Sequence, residues 1–153
     1  MLGQPSPVRL RSTLAVLALA ALALTGCTSD KGPTAAQAGQ TLKNHILQLL
    51  KERNAQDITI TDPGGRNIPC PDGKAKQTFA ATGKDLPQRR PDVLVDSLVG
   101  ALKRVAPYEI VSVADPGGSV RVRNTAAQTI LLLGSPANGQ YSVSGETQCL
   151  AAG

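Results

Sequence analysis

Apolar residues recur at helical spacing twice along this chain and alternate with polar ones in several shorter stretches. Leu42, Ile46, Leu49 and Leu50 share one side of a helix, with Lys43, Gln48, Lys51 and Glu52 on the other. That spacing predicts an amphipathic helix over about residues 35–54. Leu94, Val95, Leu98, Val99, Leu102 and Val105 make a second stripe between Pro91 and Pro107. Pro91 suits a first helical position, because its φ is preset and its missing N–H would have no intrahelical partner there.

Strand patterns fill the rest. Asp57–Thr61 alternates β-branched and polar residues, the signature of a half-buried strand, and Asp62-Pro63-Gly64-Gly65 ends it. A second strand is expected over 74–81 with Phe79 as its largest side chain, a third over 108–113, and a fourth over 119–123 with Arg121 and Arg123 on the polar face. Thr129–Leu133 is apolar on both faces, which predicts a central strand or one covered on both sides. Gly134–Gly139 reads as a turn. The period of two then places Tyr141, Val143, Gly145, Thr147 and Cys149 on one face of a last strand. The fold class is therefore α+β, with two amphipathic helices packed on a mainly antiparallel sheet of about six strands.

The chain also repeats itself. At one constant offset Leu42, Ile46 and Leu49 align with Val95, Val99 and Leu102, Ile58 and Ile60 with Val111 and Val113, and Asp62-Pro63-Gly64-Gly65 with Asp115-Pro116-Gly117-Gly118. Both copies read helix, strand, turn, strand, an α-β-β pseudo-repeat. A decayed duplication and two uses of the same hairpin chemistry both fit it.

The amino-terminal residues follow another logic. Arg9 and Arg11 precede Leu14–Leu24, which carries no charge, and Leu24-Thr25-Gly26-Cys27 closes the run. A basic region, a short apolar region and small residues before a cut make a secretory signal, and the run is too short for a spanning helix of about 20 residues. An ordinary signal peptide with Cys27 near its cut is the plainer alternative. The segment resembles the signal of bacterial membrane lipoproteins. That resemblance implies cleavage after residue 26, a diacylglyceryl group on Cys27 and a further fatty acyl chain such as palmitate on the new amino terminus. Two or more chains hold a protein at a membrane where one is marginal, since each buried methylene contributes about 0.8 kcal/mol. The organisation expected is a signal peptide over 1–26, a lipidated cysteine and tether over 27–40, and one domain over 41–153 on the extracytoplasmic face of a cell membrane.

With Cys27 assigned to lipid, Cys70 and Cys149 remain. Two cysteines in an exported chain pair readily, because that compartment lets disulfides persist. A thiol or metal site is the competing reading, but neither cysteine sits in a Cys-x-x-Cys pair and His45, the one histidine, has no partners at ligand spacing. No metal or cofactor is expected. His45 lies at the edge of the first apolar stripe, where a packed boundary residue is the simpler reading.

Charge and aromatic content narrow the partners. The whole chain is +5, and loss of Arg9 and Arg11 lowers that by two. Nucleic-acid binding wants a basic stripe with stacking aromatics, and the mature chain has Phe79, Tyr108 and Tyr141 alone. Lys84, Arg89 and Arg90 form the densest basic group, a solvated loop with anionic head groups as an alternative contact. Catalytic signatures are missing: Tyr141-Ser142-Val143-Ser144-Gly145 lacks the first glycine of a nucleophile elbow, and no phosphate-binding glycine loop appears. No enzyme is expected. The closing Gly145–Leu150 stretch and the cysteine loop after the first strand resemble small actinobacterial envelope lipoproteins, a likeness that carries no active residues. The expected function is a binding or adaptor module that docks on an envelope protein through a sheet edge or helix face. The alternative is a carrier of a lipid or other small hydrophobic ligand.

Overall fold

The computed structural model describes residues 32–114 and 118–153. The signal segment, Cys27 and the second Asp-Pro-Gly turn at 115–117 lie outside the described residues.

Helix α1 spans Ala35–Glu52. Thr34 caps it: the Gln37 backbone N–H donates to the Thr34 hydroxyl, and the Gln37 side chain accepts from the Thr34 backbone N–H. This capping box satisfies amide donors that the first helical turn leaves open. Because the helix starts at Ala35, and Ala35, Ala38 and Gly39 are buried, residues 35–40 belong to the domain rather than to the tether expected over 27–40. Strand β1 (Gln56–Asp62) follows. A small excursion then leaves the main sheet: β2 (Ile68–Pro69), a 3-10 turn over Pro71–Gly73 and β3 (Ala75–Lys76). Strand β4 (Thr78–Lys84) returns to it. Helix α2 spans Pro91–Leu102, with Pro91 in its first turn as the sequence predicts. Strands β5 (Glu109–Val113), β6 (Val120–Asn124), β7 (Thr129–Ala137) and β8 (Gln140–Thr147) complete the chain.

Six strands form one antiparallel sheet in the order β1-β4-β8-β7-β6-β5. Read from either edge, the order is the same: the strand after a helix, its antiparallel partner, then one strand of the central β7–β8 hairpin. The two helix–strand–strand units therefore take matching places, with β1 and β5 as opposite edges. They differ in the β2–β3 excursion, which the first unit alone inserts before its inner strand.

Both helices pack on one face of the sheet, α1 over β4 and β8, α2 over β7. Leu42, Ile46, Leu49 and Leu50 of α1 and Leu94, Leu98 and Leu102 of α2 meet Phe79, Val122, Leu131, Leu133, Tyr141 and Val143 in one core. Fully burying such a side chain contributes about 1.5–3 kcal/mol. Gly145 lets α1 approach β8: a Cβ there would lie 2.7 Å from Leu42 Cδ1 and 2.6 Å from the Ile130 carbonyl.

Several strand expectations change. The single strand expected over 74–81 is divided at Gln77 into β3, which pairs with β2 outside the main sheet, and β4, which runs on to Lys84. The stretch Gly134–Ala137, read as a turn, continues β7, and the reversal is confined to Asn138–Gly139, with Gly139 at φ 69°. Pro136 is tolerated because the β7–β8 register is broken between Gly134 and Ala137, where no ladder N–H is required of it. Strand β8 stops at Thr147, so Cys149 does not share the core-facing row of Tyr141 and Val143; it is exposed beyond the strand end. Cys70 and Cys149 are nonetheless joined by a disulfide, with Cα atoms 6.0 Å apart.

Candidate functional site

Among the described residues the helices cover one face of the sheet and no element covers the other. Alternation fixes which residues it carries. Thr78, Ala80 and Thr82 of β4, Ser142, Ser144 and Glu146 of β8, and Ile130 and Leu132 of β7 point away from the helices, each beside a buried neighbour. Register aligns them in rows: Ala80 faces Ser144 across β4–β8, Leu132 faces Ser144 across β7–β8, and Arg121 faces Leu132 across β6–β7. Thr129–Leu133 is thus central but covered on one side only, and Leu132 stays 43% exposed.

Small side chains in the middle and long ones around them make a hollow of about 360 Å³, floored by Ala80, Ser144 and Gly145, with Ile130 and Leu132 as its apolar wall. Charged groups form the rim. Glu146 accepts from Lys76 Nζ at 2.7 Å and lies 3.7 Å from Arg121. Asp62 also lines the hollow, accepting from the Thr78 hydroxyl at 2.5 Å and from the Gly64 N–H at 3.0 Å. Those two hydrogen bonds, the Thr78 one foremost, hold the Asp62 carboxyl below the usual carboxylate range. The same bonds explain the Asp-Pro-Gly-Gly motif: the aspartate ties its own turn, and Gly64 and Gly65 supply φ values of 66° and 78°. The hollow offers a shallow apolar strip between fixed charges, suited to a side chain or an extended segment of a partner.

The other residues that the sequence singled out lie elsewhere. His45 is a half-buried residue of α1, its Nδ1 2.9 Å from the Tyr108 hydroxyl, which also lies 2.9 Å from Thr129 Oγ1. Burial lowers the His45 pKa and raises that of Tyr108. Spacing gave no hint of this chain, because its members come from α1, the approach to β5 and β7. The basic group is not a free patch. Lys84 ends β4 and pairs with Asp57 at 2.9 Å, Arg89 grips Asp85 at 2.6 Å, and Arg90 meets Asp92 at 2.8 Å. Each cation of the group is thus matched by a carboxylate, and one of the three, Lys84, lies in a strand rather than in the expected loop.

Among the described residues no helix is long and apolar enough to cross a membrane. Compared with protein-family models, curated proteins and solved structures, the chain matches none.

Proposed function

We propose that this chain is an exported lipoprotein, anchored through Cys27 on the extracytoplasmic face of a cell membrane, whose domain is a non-enzymatic binding or adaptor module of the envelope. The observation that carries the reading is the second face of the sheet, which no element among the described residues covers. An antiparallel sheet tolerates water on one face, but a solvated face is ordinarily filled out with long polar side chains. Here the centre is Ala80, Ser144 and a half-exposed Leu132, with the charges held at the rim. A partner seated there removes apolar surface from water without first breaking the Asp62 and Glu146 bonds. The docking surface is thus the sheet face, in place of the edge or helix face that the sequence suggested.

The carrier alternative draws less support. The space between helices and sheet is filled by Leu42, Ile46, Leu98, Leu131 and Tyr141, all fully buried. A lipid held there would have to displace them.

A photoreactive amino acid placed at Leu132 of the full chain tests the module in cells, with Lys51 on the exposed side of α1 as the control. A discrete crosslinked partner from position 132 and none from position 51 is expected. Equal labelling from both, or none from either, removes the sheet-face reading. Copurification of an apolar molecule in native mass spectrometry turns it toward the carrier. Cys27→Ser tests the anchor separately: the variant is expected in the soluble fraction, and its retention at the membrane would exclude lipidation at Cys27 as the attachment.

A further inference from the structure

The Cys70–Cys149 bond does not lie in the core. Every residue from Arg66 to Lys74 except Cys70 is exposed, and none of residues 148–153 is buried. The bond clips the β2–β3 excursion to the carboxy-terminal tail, outside both the six-stranded sheet and the helices. Hydrogen bonds also hold this clip: the Gln148 N–H donates to the Gln128 carbonyl at 2.8 Å, Gln77 Nε2 donates to Asn67 Oδ1 at 2.9 Å, and Lys76 pairs with Glu146 at 2.7 Å. Ala75 and Leu150 exchange two backbone bonds of 2.8 Å, Ala35 N–H donates to the Ala151 carbonyl at 2.7 Å, and Asn67 Nδ2 reaches the Ala152 carbonyl at 3.5 Å. The Ala35 bond matters most, because it ties the first turn of α1 to the tail.

A disulfide inside a core is reached by a thiol only when the protein unfolds. Thiol–disulfide exchange needs access to one sulfur, and Cys149 is exposed in the folded state while Cys70 is half-buried. We infer that Cys70–Cys149 is a thiol-reducible latch: a dithiol reductant attacks it from the folded state, and its opening frees residues 66–76, residues 148–153 and the first turn of α1 while the six-stranded sheet stays formed.

The exchange balances as follows. A thiolate of the dithiol attacks Cys149 Sγ, forming a mixed disulfide. The Cys70–Cys149 bond breaks, its electron pair leaves on Cys70 Sγ, and that sulfur takes a proton from water. The second thiolate of the dithiol then displaces Cys149, which is protonated in turn, and the reductant closes its own disulfide. The protein gains two electrons from the dithiol and two protons from water, which the two thiols of the reductant restore on ionising to thiolates. Opening removes the covalent tie between excursion and tail, leaving the backbone bonds of Ala75 and Ala35 to local fluctuation. It thereby loosens the point at which the chain enters α1.

The test uses the full chain with dithiothreitol as the dithiol, at urea concentrations below the unfolding transition. Alkylation followed by mass spectrometry gives the reduction rate, and hydrogen exchange gives the regions that open. The expected rate is independent of urea, and amides in 66–76 and 148–153 should exchange about tenfold faster or more after reduction, with β4, β7 and β8 still protected. The double variant Cys70→Ser/Cys149→Ser should show the same exchange pattern without reagent. A reduction rate that climbs with urea in step with global unfolding overturns the latch, as does loss of protection across the sheet. Unchanged exchange in the clip after full reduction overturns it equally.

Discussion

The Tyr108 hydroxyl and His45 Nδ1 stand 2.9 Å apart although 63 residues separate them in sequence. Their rings meet edge-on at 5.7 Å, so the pair ties the middle of α1 to the segment that enters β5. Burial lowers the His45 pKa from its usual 6.5. As pH falls below that value the unfolded chain takes up the proton before the folded one, so this contribution is complete above 6.5 and is lost toward the depressed folded pKa. Thermal melts in a pH series should show that slope in the parent and a flatter one in His45→Gln. An unchanged slope would move the acid sensitivity to other groups.

Asp85 sits in the connection between β4 and α2 with its side chain 3% exposed. It accepts from Arg89 through Nε, through a terminal guanidinium nitrogen and through the backbone N–H. The side-chain bond from Arg89 holds its carboxyl below the ordinary range, so its ionised form stabilises the fold above the usual 3.8 and the contribution fades as pH drops below it. Replacing Asp85 by Asn leaves three donors with fewer acceptors and should cost about 1–3 kcal/mol in urea melts. A change within error would mean that solvent replaces the carboxylate without loss.

Gly145→Ala should be worse than its one added methyl suggests. The new Cβ would meet Leu42, Leu131 and the Ile130 carbonyl inside 3 Å. Overpacking of that kind costs about 1–3 kcal/mol. Gly100, whose added Cβ would meet nothing within 4 Å, is the matched control, and Gly100→Ala should leave the denaturation midpoint level or raise it. Equal midpoints for the two variants would refute the close approach of α1 and β8.

Tyr141 is fully buried, and its hydroxyl finds no hydrogen-bond partner among the described residues. A buried polar group without a partner lowers stability relative to its apolar isostere. Tyr141→Phe should therefore match or exceed the parent by up to about 1 kcal/mol. A clear loss in calorimetry would show that the hydroxyl is bonded after all.

Helical periodicity was legible because each helix buries a single stripe: Leu42, Ile46, Leu49 and Leu50 all proved fully buried, as did Leu94 and Leu98. Strand identity was legible where alternation is clean, as in Val120 and Val122 against Arg121 and Arg123, and was missed at Gly134–Ala137, where Gly and Pro read as a turn. Strand environment was not. Asp57–Thr61 reads as half-buried, yet Ile58 and Ile60 are exposed because the helices cover inner strands and β1 is an edge. Edge or centre depends on pairing between distant segments, which no local pattern encodes. The sheet-face hollow is hidden for the same reason, since its Ala80, Leu132 and Ser144 become neighbours only through the order β4-β8-β7. The start of α1 at Ala35 matches the helix predicted from about residue 35, and the Thr34-x-x-Gln37 box is its local signal.

The register breaks of the outermost strands bear on crowding. The β1–β4 pairing slips between Gln56 and Thr59 and again between Ile60 and Asp62, and β5–β6 slips between Ile110 and Ser112. Each slip skews the row of amides and carbonyls that an edge would offer to a neighbour. Two copies pressed side by side could match a residue or two before their ladders fell out of step. Edge-to-edge pairing of copies is thereby shortened at both rims of the sheet, whereas contact through its broad side is left unaffected by the slips.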